Sequence, residues 1–287
     1  MHWLLLTLIS IVSRSTYSIA TKILSNKIRV SPMTQAVLMT TCAGILSIPF
    51  ALYIGDSAMT NSFSIWPVVF VMVISQAFGN ILYFKGMNTL DAGTSQIAFS
   101  SILIWSFILS IIFLQSKFST IQLFGTLLMG IAIMIVYRHK NNIRVNVGII
   151  YVIGAALLFA IFQITSAMIS KQLSTGAYLL ITYFGSSTIV GLVYYKTIIK
   201  DFLKLIKQIG HTLTTLFFAS GTSIMCFVFS YFAYQKAPNR GIVVLLLTSQ
   251  VILSVIFGVI FLKEKDNLKQ KIAAGILAFV ASLLIKA

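Results

Sequence analysis

Long apolar runs separated by short polar breaks are the dominant pattern along the chain. A bilayer is crossed by about 20 mostly apolar residues, and ten runs are of roughly that length. They are Trp3–Thr21, Met33–Ile54, Ser64–Phe84, Ala92–Leu114, Thr120–Tyr137, Val147–Ser170, Ala177–Tyr195, Thr212–Tyr234, Gly241–Leu262 and Lys271–Ile285. Backbone groups in hydrocarbon must pair within the protein, and the short alternating strands of a barrel do not occur. The pattern therefore predicts an all-α polytopic membrane protein with ten transmembrane helices, none of which contains an interior Gly/Pro pair that would mark a break.

Composition supports this interpretation and excludes others. The 287 residues are 58% hydrophobic and 9% charged, with a net charge of +16, whereas soluble domains average about 25% charged residues. The basic residues lie in gaps between apolar runs, which argues against a soluble enzyme, a disordered chain or a nucleic-acid partner. Cys42 and Cys226 lie inside apolar runs and are interpreted as small buried residues. We expect no cofactor and no metal site.

One connection has a helical pattern of its own. Lys196, Lys200, Lys204 and Lys207 follow one another at four-, four- and three-residue steps, with apolar residues on the other faces. This pattern is typical of a basic amphipathic helix in a layer of anionic lipid headgroups. The alternative is a solvated extension of the seventh helix.

The two halves of the chain resemble each other. A shift of 148 residues aligns spans 3 and 4 with spans 8 and 9, so that Tyr83 meets Tyr231 and Gly93 meets Gly241. A shift of 149 residues aligns span 1 with span 6. Each half holds five spans, an odd number, so the second half begins on the opposite side of the membrane, as in many secondary transporters. We predict one five-helix repeat at residues 1–140 and a second, inverted repeat at residues 141–287.

The ends of each half carry a related motif. The segments Tyr231–Gly241 and Phe261–Lys265 flank span 9, and Tyr83–Gly93 and Phe113–Lys117 repeat them more weakly around span 4. This arrangement resembles the EamA-like branch of the drug/metabolite transporter superfamily over nearly the whole chain. The resemblance implies ten helices in two inverted halves around a central cavity, lined mainly by helices 1, 3, 4, 6, 8 and 9. It also implies a solute among amino acids, other metabolites, drugs or vitamins.

The motif departs from that family at two places. Glu264 matches the family's glutamate after the ninth helix, but Ser116 occupies the equivalent position in the first half. The proline often found in the fourth and ninth spans is missing, and Trp105 and Leu253 lie in that region.

Basic residues are distributed unevenly between the two sides. The connections after odd-numbered spans hold 15 Lys and Arg residues and the other side holds 5. The positive-inside rule then places both termini outside, whereas the family resemblance implies termini inside. We favour the charge count, because nearly symmetric halves tolerate either orientation. The predicted location is the cell (inner) membrane.

Arg14 is the most unusual residue of the sequence, because it is a charged residue inside an apolar span. It lies about 16 Å into the first span, near the middle of the bilayer, where an arginine costs about 2.5–3.5 kcal/mol on insertion scales. The five acidic residues lie in connections or at span ends, so none is available to pair with it. Its fork of donors matches a carboxylate or phosphate, which predicts that Arg14 binds an anionic group of the solute; snorkelling or bonding to helix carbonyls is the alternative. The 149-residue shift aligns Arg14 with Gln163, a second candidate at matching depth.

Further polar and aromatic residues lie at helical spacing on the same spans. The remaining substrate-binding candidates are Tyr17, Gln76, Asn80, Tyr83, Gln96, Ser100, Trp105, Ser223, Tyr231, Ser249 and Gln250. Isolated serines in membrane helices often bond to their own backbone or to a neighbouring helix. Aromatic residues near helix ends, such as Tyr83 and Tyr234, often anchor at the membrane interface.

The sequence favours a secondary transporter, a facilitator or exchanger, for a small organic solute bearing an anionic group, such as an amino acid or related metabolite. The alternatives are a proton-coupled exporter of drugs or metabolites and a lipid-handling or structural membrane protein. An enzyme is disfavoured, because His2, His139 and His211 lie at span ends or in connections, far apart in sequence. The small residues Ala274, Ala278 and Ser282 are interpreted as a packing face within a monomer, with dimerisation as the alternative.

Overall fold

The fold is known from a computed structural model, which describes residues 2–53, 63–90, 95, 98–137, 147–261, 273, 276–277, 280–281 and 283–285. This part of the chain is helical and contains no strand. The helices are α1 (His2–Lys27), α2 (Pro32–Tyr53), α3 (Trp66–Thr89), α4 (Ile102–Leu114), α5 (Thr120–Tyr137), α6 (Val147–Ile169), α7 (Thr175–Val193), α8 (Tyr195–Lys236), α9 (Arg240–Leu247) and α10 (Gln250–Phe261).

Seven helical segments are long and apolar enough to cross a membrane. They are His2–Lys27, Pro32–Tyr53, Trp66–Thr89, Val147–Ile169, Thr175–Val193, Gly210–Lys236 and Arg240–Gly258. The shorter segments Ile102–Leu114 and Thr120–Ala132 are also apolar. The tenth predicted span is described only in part, and Ala274, Ala278 and Ser282 lie outside the described residues. The described part of the chain is thus helical, with several segments that have the length and composition of membrane spans.

The helices pack in pairs that correspond when the two halves are exchanged. Helix α1 packs along α8, and α6 packs along α3. Helix α10 lies against α1 in the same way that α4 lies against α6, while α2 packs against α7. Each half therefore packs its first helix against the third helix of the other half, and polar residues from both halves meet between them.

Two glycines permit the close approach of α3 and α6. A Cβ atom added at Gly86 would collide with the side chain of Val152, and one added at Gly148 would collide with Thr89. Small residues bring membrane helices close enough for backbone packing. This contact fixes the end of α3 that carries Tyr83 against α6.

Spans 4 and 9 are interrupted at equivalent positions, although neither contains a proline there. A turn at residues 100–101 precedes α4, and a turn at residues 248–249 separates α9 from α10. Ser101 N donates to Ala98 O at 3.3 Å, and Ser249 N donates to Leu246 O at 3.0 Å. Each turn therefore has a hydrogen bond between residues three positions apart.

Hydroxyl groups bond to the backbone within both turns. Ser101 Oγ donates to Ala98 O at 3.0 Å, and Thr248 Oγ1 donates to Leu245 O at 2.6 Å. Thr222 and Ser230 make the same bond to the carbonyl three residues back inside the regular helix α8, so these bonds accompany the turns but do not by themselves cause them. No interior Gly/Pro pair marks either turn in the sequence, and the regular helix of span 4 begins only at Ile102.

The basic segment at Lys196–Lys207 belongs to the eighth helix rather than the seventh. Helix α7 ends at Val193, and α8 runs without interruption for 42 residues, about 63 Å. Its first part carries the four exposed lysines together with exposed apolar side chains. The alternative prediction, an extension of the seventh helix, is thus wrong, because the helical structure is interrupted at Tyr194, between α7 and α8.

Asp201 docks this first part of α8 onto the start of α2. Its Oδ2 accepts hydrogen bonds from Ser31 N and Thr34 Oγ1, each at 2.9 Å. Burial raises the pKa of Asp201, but the bonds from Ser31 and Thr34 and the charge of Lys204 outweigh burial and lower it below its ordinary value. The carboxylate therefore caps α2 while ionised.

Candidate functional site

A small cavity lies between α1, α3, α6, α8 and α10, near the middle of these helices. Its volume is about 50 Å³, which is room for a few water molecules. The lining residues are Arg14, Tyr17, Ser18, Gln76, Tyr83, Phe99, Phe159, Phe162, Gln163, Cys226, Phe227, Gln250 and Ser254. Six of the thirteen predicted substrate-binding residues thus line one cavity, namely Arg14, Tyr17, Gln76, Tyr83, Gln163 and Gln250.

Arg14 lies at the cavity with only weak protein contacts. Its side chain is 9% exposed, and α1 places Ser10 one helical turn before it. Arg14 Nε donates to Ser10 Oγ, and Nη2 donates to Ser230 Oγ, both at the long distance of 3.4 Å. The cavity lining contains no acidic residue, and Asp201 on the first part of α8 is the only acidic residue that the structure describes. The positive charge is therefore held in place but is not neutralised by these residues.

Gln163 brings an amide from the other half of the chain to the same cavity. It is 1% exposed, and neither Nε2 nor Oε1 has a hydrogen-bond partner among the described residues. The same holds for Oε1 of Gln76 on α3. A buried polar group without a partner costs about 1–3 kcal/mol. The unpaired groups are thus the Nε2 donors of Gln163 and two acceptor oxygens, Oε1 of Gln163 and Oε1 of Gln76.

Aromatic rings form the wall of the cavity near the end of α3. Tyr83, Phe99 and Phe159 meet edge to face, with centroids 5.4, 6.1 and 5.8 Å apart. Tyr83 OH is 3.0 Å from Ser18 Oγ, and its side chain is 3% exposed, so it is not an interface anchor. The wall offers apolar surface and one hydroxyl on the side of the cavity away from α7.

A second aromatic cluster borders the cavity at Phe162 and Phe227. The rings of Tyr178 and Tyr231 stack with centroids 3.9 Å apart. Tyr231 OH donates to Leu173 O at 2.8 Å, and Phe227 packs on both Phe162 and Tyr183. Tyr234 is also buried here, at 1% exposure, and is not an interface anchor.

The other predicted site residues do not line the cavity. Ser223 pairs with Tyr183 OH at 2.8 Å, and Tyr231 belongs to the second aromatic cluster. Buried atoms of Asn80 (Oδ1) and Trp105 (Nε1) have no partner among the described residues, but they lie outside the cavity lining. The remaining positions are Ser100 and Ser249, in the two turns, and Gln96, which lies outside the described residues, as do Asp91 and Glu264.

Sequence reasoning missed seven residues that line the cavity. Ser18 follows Arg14 by four residues, and Ser254 aligns with Ser106 in the repeat, so helical spacing and self-similarity offered a signal for both. Cys226 was interpreted only as a small buried residue. The other four are Phe99, Phe159, Phe162 and Phe227. The sequence does not distinguish a phenylalanine that lines a cavity from one that faces lipid, because both lie in apolar spans.

Comparison with known proteins identifies the family of the chain. The sequence profile of the EamA-like transporter family matches residues 1–138 and 146–286, in two consecutive copies. A solved structure titled "Crystal structure of protein" has a TM-score of 0.72 at 13% identity, covering 98% of this chain and 94% of that chain, which shows a shared fold. No curated protein matches the sequence. Because the profile covers nearly the whole length, the chain belongs to the EamA-like transporter family, whose members are multi-pass membrane transporters of small solutes.

Proposed function

We propose that the chain is a secondary transporter, a facilitator or exchanger, for a small organic solute that bears an anionic group, such as an amino acid or related metabolite. It works by alternating access around the cavity at Arg14, with ten transmembrane helices in two inverted five-helix repeats. The observation that carries the proposal is the buried guanidinium of Arg14, whose two protein contacts are both 3.4 Å long. The paired packing of α1 with α8 and of α6 with α3 supports the repeat.

Arg14 needs a counter-charge that the described protein does not supply. A carboxylate or phosphate that accepts two parallel hydrogen bonds strongly stabilises a guanidinium in a low-dielectric site. The amides of Gln163 and Gln76 then bond to neighbouring polar atoms of the same solute. The aromatic wall at Tyr83 and Phe159 packs against its apolar part.

The size of the cavity indicates a closed state of the transport cycle. A volume of about 50 Å³ does not hold a metabolite, so the surrounding side chains must move to admit one. The turns at residues 100–101 and 248–249 lie in the two helical segments that flank the cavity from each half. Tight turns inside helices often mark hinges, and these two positions are equivalent in the repeat.

The positive charge of Arg14 favours exchange as the mode of transport. Moving an unpaired Arg14 through the membrane interior is costly, whereas a bound anion neutralises it. No carboxylate or histidine lines the cavity among the described residues, so the proposal includes no coupling proton. We also infer that both termini lie outside, that the location is the cell (inner) membrane, and that Lys196–Lys207 lies in anionic headgroups.

The test uses purified protein in detergent and in liposomes. Ligand binding to the native state raises the melting temperature, so a panel of carboxylates, phosphates and matched amides or alcohols should give shifts only for the anions. A confirmed ligand should then be taken up into liposomes. Stabilisation by the neutral analogues alone would refute the role of Arg14.

Cys226 provides a direct reporter of the cavity. It lines the cavity, and the only other cysteine is Cys42 on α2. In a Cys42→Ser variant, a small membrane-permeant thiol reagent should label Cys226 slowly, and the confirmed ligand should slow labelling further. Unchanged labelling at saturating ligand would place the binding site elsewhere.

A further inference from the structure

An apolar groove runs along the outer side of α1, where α8 and α10 meet it. Its volume is about 420 Å³, and the lining residues are Thr16, Ile19, Ala20, Ile23, Lys27, Thr214, Thr215, Phe218, Phe257 and Phe261. None of these residues lines the central cavity. Phe218 and Phe261 are 57% and 65% exposed, so the groove opens to the surroundings of the protein.

The length of the groove matches one leaflet of a bilayer. From Thr16 to Lys27 the helix rises about 16 Å, and half of the hydrocarbon thickness is about 15 Å. Thr16 lies two residues from Arg14, which is near the middle of the membrane by the same count. The groove therefore has the depth of a single acyl chain that starts at the headgroup level.

The upper end of the groove is basic and carries hydroxyl groups. Lys27 is exposed, and its Nζ donates to Thr215 Oγ1 at 3.0 Å. The connection after α1 continues along the same face of α8, because Arg29 N donates to the Gln208 side chain at 2.8 Å. Exposed Lys204 and Lys207 lie on the adjoining part of α8. A headgroup placed above the acyl chain thus meets the charge of Lys27, the one basic residue that lines the groove in the described part of the chain.

A second groove provides an internal comparison. It lies where α3, α4 and α6 meet, has a volume of about 430 Å³, and is lined by Pro67, Val68, Val71, Leu109, Phe113, Ile161, Ile164, Thr165 and Met168. The repeat relates the two grooves, since Phe113 aligns with Phe261 and Thr165 aligns with Thr16. Gly176 aligns with Lys27, and no charged residue lines the second groove in the described part of the chain.

We propose that the groove of α1, α8 and α10 binds an anionic phospholipid, with its acyl chain along α1 and its phosphate at Lys27 and Thr215. Apolar walls alone would hold any lipid, as in the second groove. A basic rim between membrane helices selects a negatively charged headgroup. Because α1 carries Arg14 and α10 carries Gln250, this lipid contacts the outer side of two helices that form the central cavity.

The experiment places a tryptophan in each groove. Phe261→Trp and Phe113→Trp occupy equivalent positions, and each variant is reconstituted in phosphatidylcholine vesicles containing brominated phosphatidylglycerol or brominated phosphatidylcholine. Bromine quenches a tryptophan that it contacts, so competition gives the relative affinity of the two lipids at each groove. The quenching of the wild-type protein, through Trp3, Trp66 and Trp105, is subtracted. The measurement needs no solute, so its outcome is independent of the proposed transport function.

We expect phosphatidylglycerol to be preferred about fivefold at Phe261→Trp, the size expected for one charge near a membrane surface. The preference should fall close to one when Lys27→Gln is added and should persist with Lys27→Arg. At Phe113→Trp it should be close to one throughout. An equal preference at both grooves, or one that survives Lys27→Gln, would overturn the proposal. Melting temperatures in pure phosphatidylcholine check that every variant is folded.

Discussion

Replacing Arg14 by alanine separates binding from stability. The two bonds that Arg14 makes to Ser10 and Ser230 are 3.4 Å long and contribute little. Removing a charge from the middle of a span relieves an insertion cost of about 2.5–3.5 kcal/mol. In the complex, by contrast, truncating one partner of a buried hydrogen-bonded charge pair costs about 2–5 kcal/mol. Arg14→Ala should therefore weaken the binding of the anionic solute about 30-fold or more while the melting temperature stays equal or rises.

The assay measures solute affinity by calorimetry and stability by thermal unfolding on the same preparation. Arg14→Lys should recover only part of the affinity, because an ammonium lacks the planar fork of donors. Arg240 is the matched control, since its Nη1 donates to Ala167 O at 2.8 Å and to Met168 O at 3.2 Å, away from the cavity. Arg240→Ala should lower the melting temperature and leave affinity nearly unchanged. Normal affinity in folded Arg14→Ala would refute the reasoning.

Three further predictions follow from charge and geometry. A cysteine appended after Ala287 should react with an impermeant thiol reagent in intact cells; labelling only after lysis would reverse the orientation. Uptake into liposomes without an ion gradient should be accelerated by unlabelled solute inside, and strict dependence on a proton or sodium gradient would contradict exchange. Because its folded pKa is lowered, Asp201 stabilises the protein above its unfolded pKa, near 3.9, and this contribution is lost as pH falls through the lower folded value. Asp201→Asn should thus lower the melting temperature at pH 7 more than at pH 3, and an equal loss at both would exclude the ionised cap.

The sequence predicted the helical, multi-pass architecture because span length and hydropathy are local properties. Span 1 and α1 overlap over most of their length, as do span 6 and α6. The interruptions at residues 100–101 and 248–249 were missed for a physical reason. Serine and threonine hydroxyls bond to the preceding turn both at these interruptions and inside regular helices such as α8, so hydroxyl residues in the sequence do not mark where a helix is interrupted.

Part of the candidate site could be predicted from the sequence, because it contains a charged residue in an apolar span. Arg14 has no sequence partner within the membrane, and the repeat pointed to Gln163; the structure places both at one cavity. Hydroxyl and aromatic residues were less predictable, since their neighbours decide their role. Ser223 was a candidate and instead pairs with Tyr183, whereas Phe159 was not a candidate and lines the cavity.

We infer that the repeat allows one cavity to face the two sides of the membrane in turn. Tyr83 and Tyr231 occupy the same repeat position, yet Tyr231 is stacked on Tyr178 and bonded to Leu173 O, while Tyr83 borders the cavity beside Ser18. Two related halves in unequal conformations fit the alternating access that we propose. We infer that the two tyrosines exchange these environments during the cycle, so that Tyr83 packs into a closed end when Tyr231 leaves Tyr178. Arg14 has no charged counterpart in the second half, so we infer that the solute anion neutralises it in each state of the cycle.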